Sequence, residues 1–345
     1  MVERHQIFPV FLENSGCDHR CIFCAQDKSS PAGGFDVQRI AAELEQIVPG
    51  ESRGEIAFYG GSFTQLSGTM QQQLLDLATL MVDAGRATGI RLSTRPDALG
   101  HEVLTRLDAA PVTTVELGCQ SFDPEVLRLC NRNHTPEAIE EAVHSLQHRG
   151  FRVGLQLMPG LPGGDSDEAL YSLDKALSLC PDFLRIYPAV VLAGTPLERM
   201  WKTGDYRPWS LSRTVRVGAQ MIARAQVADI PVIRFGLQGN PSLEKNLAAG
   251  PYHPALGQLV KSRLWFDRLV RQKLEQGDVI RVHHADLSDV IGHKRRNLRA
   301  LHRRFGVAIE SSAHVSRGSF QCGNGIEAVM SLGSTGGLGH VGNQQ

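Results

Sequence analysis

Three cysteines lie within eight residues near the start of the sequence, in the segment CDHRCIFC. Cys17, Cys21 and Cys24 are suited to zinc or to an iron–sulfur cluster, because thiolates are soft ligands. A closed site of either kind usually has four ligands, whereas this segment supplies three and the other four cysteines are scattered singly. His19 is too close in sequence to complete a zinc tetrahedron comfortably. We therefore expect a 4Fe-4S cluster with one iron open to another ligand, and structural zinc is the alternative.

The composition is that of an ordinary globular protein and argues against several other classes. The chain has 345 residues, of which 36 are Lys or Arg and 36 are Asp or Glu, so its net charge gives no reason to expect a nucleic-acid or membrane partner. No run of about 18 apolar residues suggests a membrane span, and the N-terminus has no signal-peptide core. The close spacing of three cysteines does not fit a disulfide framework. We expect a cytoplasmic protein with metal or redox chemistry and no membrane partner.

Short β-rich runs alternate with segments of helical period, which predicts βα units around a parallel sheet. The predicted strands are residues 6–12, 55–60, 90–94, 113–118, 151–158, 183–190 and 231–238, and the helices between them include 37–48, 71–88, 124–130, 136–149, 167–179 and 210–228. Six such units predict an α/β fold, a partial (β/α)6 TIM-type barrel over residues 1–238. In barrels the chemistry lies in the loops after the carboxyl ends of strands. The cysteine segment follows the first predicted strand directly.

The cysteine segment resembles the CxxxCxxC signature of the radical S-adenosylmethionine (radical SAM) superfamily, in which an aromatic residue such as Phe23 commonly precedes the last cysteine. The resemblance implies that the open iron of a 4Fe-4S cluster binds the amino and carboxylate groups of S-adenosylmethionine. Reductive cleavage then gives a 5′-deoxyadenosyl radical that removes hydrogen from a substrate. The family also implies an electron donor such as flavodoxin or ferredoxin. The protein itself supplies binding and positioning.

Motifs after the second and third strands are candidates for binding S-adenosylmethionine. Gly60, Gly61 and Ser62 resemble the family's glycine-rich motif, because paired glycines let the backbone approach a ligand closely; a plain turn is the alternative. Thr94 and Arg95 offer a hydroxyl for the ribose and a guanidinium for the methionine carboxylate. The alternative for that segment is an ordinary helix start.

Motifs after the fourth and fifth strands extend the candidate site. Gln120 is a candidate hydrogen-bond partner of the cosubstrate or a residue of the barrel interior. Met158 and Gly160 belong to MPGLPG, whose turn has a backbone suited to an adenine edge, although core packing alone also explains Met158. Tyr187 and Lys202 are further candidates for substrate contact.

Taken in order, the motifs TRPD, VELGCQSFDPEVL, NRNHT, MPGLPG and LRIYP resemble the radical SAM domain of the Elongator catalytic subunit, which modifies wobble uridines in tRNA. They resemble oxygen-independent coproporphyrinogen III oxidase less closely. The likeness covers roughly residues 6–210. The Elongator subunit has an acetyltransferase domain after its radical domain, and no such segment follows here. The expectation of tRNA modification therefore does not extend to acetyl transfer.

The pattern changes after residue 238. We expect a helical connection over residues 239–276, a small α+β module over 277–331 and a flexible Gly-rich tail over 332–345. The module resembles the core of a KH domain, whose GXXG loop clamps a nucleic-acid backbone, but it keeps only the first glycine. The candidate RNA-binding residues are Gly292, Lys294, Arg295, Arg296 and Arg299. A solvated basic helix face is the alternative.

Three hypotheses follow from these patterns. The first is a radical SAM enzyme that modifies RNA, with tRNA as the expected substrate. The second is the same chemistry on a small molecule such as a porphyrinogen. The third is a non-catalytic scaffold in which the cysteines bind zinc. No general base is assigned, because no His or carboxylate pair stands out in the sequence.

Overall fold

A computed structural model of the chain describes residues 6–12, 16–17, 21–24, 36–50, 54–239, 241–322 and 326–328. The predicted tail, residues 332–345, and residues 18–20 of the cysteine loop lie outside these ranges. Within the described part of the chain, no helix is both long enough and apolar enough to cross a bilayer.

Thirteen strands and twelve α-helices are present in the described residues. The strands are β1 (Gln6–Phe11), β2 (Gly54–Tyr59), β3 (Gly89–Thr94), β4 (Val112–Gln120), β5 (Arg152–Leu157), β6 (Phe183–Ile186), β7 (Val191–Leu192), β8 (Val232–Phe235), β9 (Leu247–Ala249), β10 (Val279–Val282), β11 (Ala308–Ser311), β12 (Phe320–Cys322) and β13 (Ile326–Ala328). The helices are α1 (Val37–Ile47), α2 (Gly68–Asp83), α3 (His101–Asp108), α4 (Pro124–Leu129), α5 (Pro136–His148), α6 (Ser166–Ser178), α7 (Pro196–Thr203), α8 (Leu211–Val227), α9 (Pro241–Asn246), α10 (Leu256–Leu269), α11 (Leu287–Ile291) and α12 (Arg296–Phe305).

The main sheet is an open half-barrel of seven parallel strands in the order β1-β2-β3-β4-β5-β6-β8. Helical crossovers connect successive strands, which is the connection that parallel pairs require. Six crossovers between seven strands confirm the predicted α/β partial barrel.

The N-termini of several helices are determined by local sequence. Asp123, Thr135 and Thr195 each cap a helix with a side-chain oxygen, and a proline follows each of them at the first helical position.

The two faces of the half-barrel differ in polarity because side chains alternate along each strand. One face is apolar and packs on the helices. Its strand residues include Phe8, Val10, Ile56, Phe58, Ile90, Leu92, Val115, Leu117, Val153, Leu155, Leu184 and Ile186, all of them in one core with helix residues such as Leu44 and Leu74. The concave face instead carries buried charged and polar side chains. The sheet therefore has its apolar core on the outside and a polar interior.

Charged side chains form a continuous network across the concave face. Arg91 donates to Glu55 Oε2 at 2.6 Å and to Glu116 Oε1 at 3.0 Å. Arg185 Nε donates to Glu116 Oε2 at 2.6 Å, and the hydroxyl of Tyr59 donates to Glu116 Oε1 at 2.7 Å. Burial and the Glu116 charge raise the pKa of Tyr59, so its hydroxyl stays a donor. Glu116 thus connects β2, β3 and β6.

The strand β1 forms one edge of the sheet and contains a proline. The N–H of Leu12 donates to Tyr59 O at 2.7 Å. Because backbone groups in a parallel ladder point alternately to the two sides, the backbone of Pro9 points away from β2. At the same edge, the side chain of Phe11 is 58% exposed.

The C-terminal module is a second, smaller sheet in the order β11-β10-β12-β13. β10 runs parallel to β11, and α11, a turn at His293–Arg295 and α12 connect them. The order of elements from β10 to β11 is strand, short helix, basic turn, helix and strand. The likeness to a KH domain stays a prediction.

The helix α10 joins the module to the half-barrel. Its residues Trp265 and Leu269 belong to the apolar core of the module, and α10 also packs against α8. The predicted helical connection, residues 239–276, contains α9, β9 and α10, and α10 ends at Leu269. The Gln272 amide donates to the carbonyl oxygen of Arg268, which satisfies one of the last carbonyls of the helix.

Replacing Glu116 by alanine is expected to lower the free energy of unfolding by about 3–5 kcal/mol, because two buried guanidiniums lose a shared carboxylate. Urea denaturation followed by circular dichroism measures this change. The control is Glu125→Ala, which breaks an exposed ion pair with Arg128 and should leave the unfolding midpoint unchanged. Equal midpoints for the two variants would contradict the role assigned to Glu116.

Candidate iron–sulfur and S-adenosylmethionine site

The cysteine loop follows β1 and lies at the carboxyl edge of the sheet, as predicted. Backbone hydrogen bonds hold its second half: Ile22 N donates to Cys130 O at 3.3 Å, and Leu197 N donates to Ile22 O at 2.9 Å. Cys24 N also donates to Cys21 O at 3.1 Å, which closes a turn between these two cysteines. The loop is therefore attached both to the end of α4 and to the start of α7.

The three thiols of the loop lie near enough to one another to interact electrostatically. Burial, together with the charges of Cys21 and Cys17, raises the pKa of Cys24 to about 12. Burial and the Cys21 charge also raise the pKa of Cys17, while Arg95 and Arg132 lower it. Ionising the thiols of Cys17 and Cys24 is thus favoured by nearby positive charge, which a metal centre supplies.

The donor chemistry fits an iron–sulfur cluster. Among the residues that the structure describes, no three His, Cys, Asp or Glu side chains are grouped to hold a single metal ion. A cluster differs from a single ion, because each thiolate binds a different iron and the sulfur atoms need not converge on one point.

Arg132 is a candidate site residue that sequence reasoning missed. Its Nη1 lies 3.4 Å from Cys21 Sγ, and its Nη2 donates to the carbonyl oxygen of Gly118. The side chain is buried, and within the described residues its Nε has no hydrogen-bond partner. A buried donor without a partner is costly, so this atom is available to an acceptor that enters the site. The only sequence signal was its place in the motif NRNHT.

The predicted glycine motif meets the cysteine loop directly. Gly60 has φ 86°, a conformation that favours glycine. A Cβ on Gly16 would lie 2.3 Å from Ser62 O, so the two loops are in backbone contact. Ser62 Oγ lies 3.2 Å from Thr94 Oγ1, and a backbone hydrogen bond with Ser62 lowers the pKa of Cys17. The structure thus brings Ser62 and Thr94 together beside the first cysteine.

Arg95 lies near the thiols, but its guanidinium is already paired. It donates to both carboxylate oxygens of Asp97, at 2.9 Å and 2.7 Å. Burial alone would raise the pKa of Asp97, but these bonds and the Arg95 charge hold it below its usual value. The predicted role of Arg95 as a carboxylate ligand stays a prediction, and a ligand there would compete with Asp97.

Gln120 occupies a strained position at the end of β4. Its φ is 72°, which is uncommon for a residue other than glycine. Its carbonyl oxygen accepts from Met158 N at 2.8 Å, and its Oε1 accepts from Gln156 Nε2 at 3.2 Å. Such strain is common at functional sites, and the role of Gln120 in cosubstrate binding stays a prediction.

Phe23, Met158 and Gly160 lie on the apolar side of the site. Phe23 and Met158 pack against the same small cluster, which includes Leu161 and Ala189. Gly160 has φ 88°, and a Cβ there would lie 3.1 Å from the Trp209 ring. Its carbonyl oxygen accepts from Tyr206. The MPGLPG turn thus forms a packed wall beside the cysteine loop.

The remaining candidates lie elsewhere or have partners. The hydroxyl of Tyr187 accepts from Arg185 at 3.3 Å, and Lys202 is exposed and pairs with Glu198. The predicted RNA-binding residues belong to the C-terminal module. Of these, Gly292 is buried, whereas Lys294, Arg295, Arg296 and Arg299 are exposed.

Comparison with known protein families gives the superfamily of the chain. A model described as the radical SAM superfamily matches residues 14–176, and one described as the Radical_SAM C-terminal domain matches residues 181–265. The chain belongs to the radical SAM superfamily. The first match contains all three cysteines, and the second extends through most of α10, which connects this radical SAM domain to the module.

Curated relatives match the radical SAM domain only in part. The tRNA uridine(34) acetyltransferase of Methanocaldococcus jannaschii is 34% identical over 140 residues, which are 38% of this chain and 25% of that protein. Its Dehalococcoides mccartyi counterpart is 34% identical over 164 residues, 45% and 35% of the two chains. Elongator complex protein 3 of Homo sapiens is 35% identical over 141 residues, 40% and 26%. The chain thus spans a quarter to about a third of these relatives' length.

Solved structures show the same radical SAM fold. The archaeal Methanocaldococcus infernus Elp3 with an N-terminal deletion superposes with a TM-score of 0.60 at 22% identity, over 78% of this chain and 64% of that chain. Coproporphyrinogen III oxidase (HemN) from Escherichia coli gives a TM-score of 0.51 at 20% identity, over 77% and 59%. At these identities the likeness concerns the fold alone.

A buried histidine lies between the radical SAM motifs. His134 Nε2 lies 3.2 Å from Cys119 O, and within the described residues its Nδ1 has no partner. Burial lowers the pKa of His134 to about 4, and the Arg132 charge contributes in the same direction. The folded protein therefore holds this imidazole neutral at pH values where an unfolded chain would protonate it.

His134 should make the metal-free protein less stable as the pH falls. The pKa of His134 is lower in the folded protein than in the unfolded chain. Its contribution to the free energy of unfolding is therefore complete above a pH of about 6.5 and is lost as the pH falls toward 4. Between pH 6.5 and pH 5 the free energy of unfolding should fall by about 2 kcal/mol more in the wild type than in His134→Gln. Urea denaturation at several pH values measures this, and parallel losses in the two proteins would contradict it.

Proposed function

We propose that this chain is a radical SAM enzyme that binds a 4Fe-4S cluster through Cys17, Cys21 and Cys24 and modifies a nucleoside of RNA, with tRNA as the substrate. The observation that carries the proposal is the buried Arg132 guanidinium beside Cys21 Sγ, with its Nε unpartnered among the described residues. This guanidinium offsets thiolate charge and offers one donor to an acidic ligand. When bound, the cluster supplies the electron that cleaves the sulfonium of S-adenosylmethionine.

The residues of this chain bind and orient the cosubstrate. Arg132 receives the methionine carboxylate, because the alternative guanidinium, Arg95, is engaged by Asp97. The backbone of Gly60 and Gly61 approaches the amino group. A carboxylate bound to a buried guanidinium is held more strongly than one in water.

Other predicted residues surround the ribose and adenine in this proposal. The hydroxyls of Ser62 and Thr94 and the amide of Gln120 form the polar side, whereas Phe23, Met158 and the backbone of Gly160 form the apolar side. Two observations support this arrangement: the contact between Ser62 and Thr94 and the shared packing of Phe23 and Met158. An apolar wall also excludes water from a reactive intermediate.

The proposed RNA substrate is supported by the relatives. Two of them, about a third identical in the matched region, are named as tRNA uridine(34) acetyltransferases. For the small-molecule alternative, the structural comparison gives a fold likeness to coproporphyrinogen III oxidase at 20% identity. We further propose that the enzyme works in the cytoplasm and takes its electron from a reduced flavodoxin or ferredoxin.

Anaerobic reconstitution with iron and sulfide should give about four irons per chain and dithionite-dependent 5′-deoxyadenosine. The variant Cys17→Ala/Cys21→Ala/Cys24→Ala should lose both, because it lacks the ligands. The control is Cys180→Ala, which removes an exposed thiol elsewhere and should keep both. One zinc per chain without cleavage of S-adenosylmethionine would overturn the proposal in favour of the zinc scaffold.

Replacing Arg132 by glutamine should raise the KM for S-adenosylmethionine roughly tenfold to a hundredfold, because a charge-assisted hydrogen bond contributes about 1.5–3 kcal/mol. The rate of 5′-deoxyadenosine formation at varied cosubstrate concentration measures this, with iron content determined in parallel. Arg128→Gln removes an exposed guanidinium four residues earlier and is the control. An unchanged KM at equal iron content would exclude Arg132 as the carboxylate ligand.

A further inference from the structure

Residues 292–305 form the most basic surface of the C-terminal module. We call the exposed side chains of Lys294, Arg295, Arg296, Arg299, Arg303 and Arg304 the basic face. No Asp or Glu occurs between residues 292 and 305. Since the chain as a whole has equal numbers of acidic and basic residues, this is a local concentration of positive charge.

The turn that begins the basic face is held rigidly. The Asn297 amide donates to Ser262 O at 2.7 Å and to Val290 O at 3.1 Å, which fixes α12 to α10 and α11. Gly292 has φ 75°, and a Cβ there would lie 2.8 Å from Asn297 Cγ. The turn therefore has its shape before any partner binds, which reduces the entropy lost on binding.

Two consecutive cationic residues are strained in this turn. Lys294 and Arg295 have φ values of 53° and 57°, in the left-handed region that costs about 1 kcal/mol or more for residues other than glycine. The carbonyl oxygen of Lys294 accepts from Arg299 Nη2 at 2.8 Å, so the Arg299 guanidinium lies against the backbone of this turn. Strain and like-charge repulsion are both tolerated here, and a bound polyanion would offset the repulsion.

Packed residues connect the basic face to the cysteine loop. Phe23 of that loop shares an apolar cluster with Val191 of β7 and Ala249 of β9, and these two strand residues pair directly. His253, four residues after Ala249, packs edge-on against His293 at 5.7 Å between ring centroids. Four residues span at most about 14 Å. This path of packed residues links the basic turn to the loops at the carboxyl edge of the half-barrel.

The surface fits RNA better than a membrane. The large hydrophobic side chains that are exposed among the described residues are Phe11, Leu80, Tyr171 and Val227, and none belongs to the basic face. A helix that binds a lipid surface needs an exposed apolar side beside its cations. A surface with cations alone suits a sugar–phosphate backbone, which is bound mainly by neutralising phosphates.

We propose that the basic face binds the phosphate backbone of the RNA substrate and holds it at the mouth of the half-barrel. This inference rests on the proposed function for the identity of the RNA and adds the surface that binds it. The binding is independent of base sequence, because it uses phosphates rather than base edges.

The test compares binding of a labelled tRNA transcript by the reconstituted wild type and by Lys294→Ala/Arg295→Ala/Arg296→Ala. The variant should bind roughly tenfold to a hundredfold more weakly near 0.1 M salt, and the slope of log Kd against log salt should fall by about 2, since each phosphate contact contributes about 0.7–0.9. The charge-matched control is Arg39→Ala/Arg152→Ala/Arg216→Ala, three exposed arginines of the half-barrel. It should bind like the wild type.

A second variant, Lys294→Gly/Arg295→Gly, guards against misfolding. Glycine adopts positive φ without strain, so this variant should fold at least as stably as the wild type and still lose affinity for tRNA. RNA affinity equal to wild type in both variants would overturn the proposal. So would binding of the wild type to vesicles containing phosphatidylserine in preference to tRNA.

RNA-independent formation of 5′-deoxyadenosine separates this inference from the proposed function. If the triple alanine variant keeps that reaction but loses tRNA binding, the basic face is the RNA dock. If the wild type cleaves S-adenosylmethionine and all variants bind tRNA equally well, the basic face is not the RNA-binding surface, and the radical SAM function is still supported. If the basic-face variants lose tRNA binding but neither they nor the wild type cleave S-adenosylmethionine, the proposed radical SAM function is wrong. The assignment of the basic face as the RNA-binding surface is then still supported.

Discussion

Parallel alignment of the strands is the constraint on which the candidate site depends. A parallel sheet places the loop after every strand at one edge, so residues far apart in sequence become neighbours there. The cysteine loop follows β1, the glycine motif follows β2 and Gln120 ends β4. The register also aligns the charged network inside the half-barrel, where Glu116 receives donors from three strands. The parallel alignment of the strands therefore determines both the fold and the position of the candidate site.

Charge balance explains why the thiol loop has two guanidiniums near it. Thiols that are buried together resist ionisation, and Arg95 and Arg132 each favour the ionised form of Cys17. The two arginines differ in what else they bind: a carboxylate engages one, while the other keeps a free donor atom within the described residues. The Arg95 guanidinium is thus paired with a carboxylate, whereas the Arg132 guanidinium has a donor atom available to a ligand.

The strands and the edge that bears the site were predictable from the sequence, because apolar alternation and loop position are local properties. Arg132 was not, since it lies in a turn after α4 and is 111 residues from Cys21. The strain at Gln120 was also invisible, because a positive φ leaves no trace in a residue that is not glycine. The pair formed by β7 and β9 has two and three residues, too few for a periodic signal.

Pro9 affects how the molecule behaves among copies of itself. An edge strand offers a row of unpaired backbone groups, which can recruit another sheet and lead to aggregation. Because the backbone of Pro9 points outward and proline has no N–H, this edge lacks a donor in the middle of its six residues. A neighbouring chain therefore cannot extend the sheet with a full ladder, and the half-barrel keeps an open edge without becoming a template for fibres.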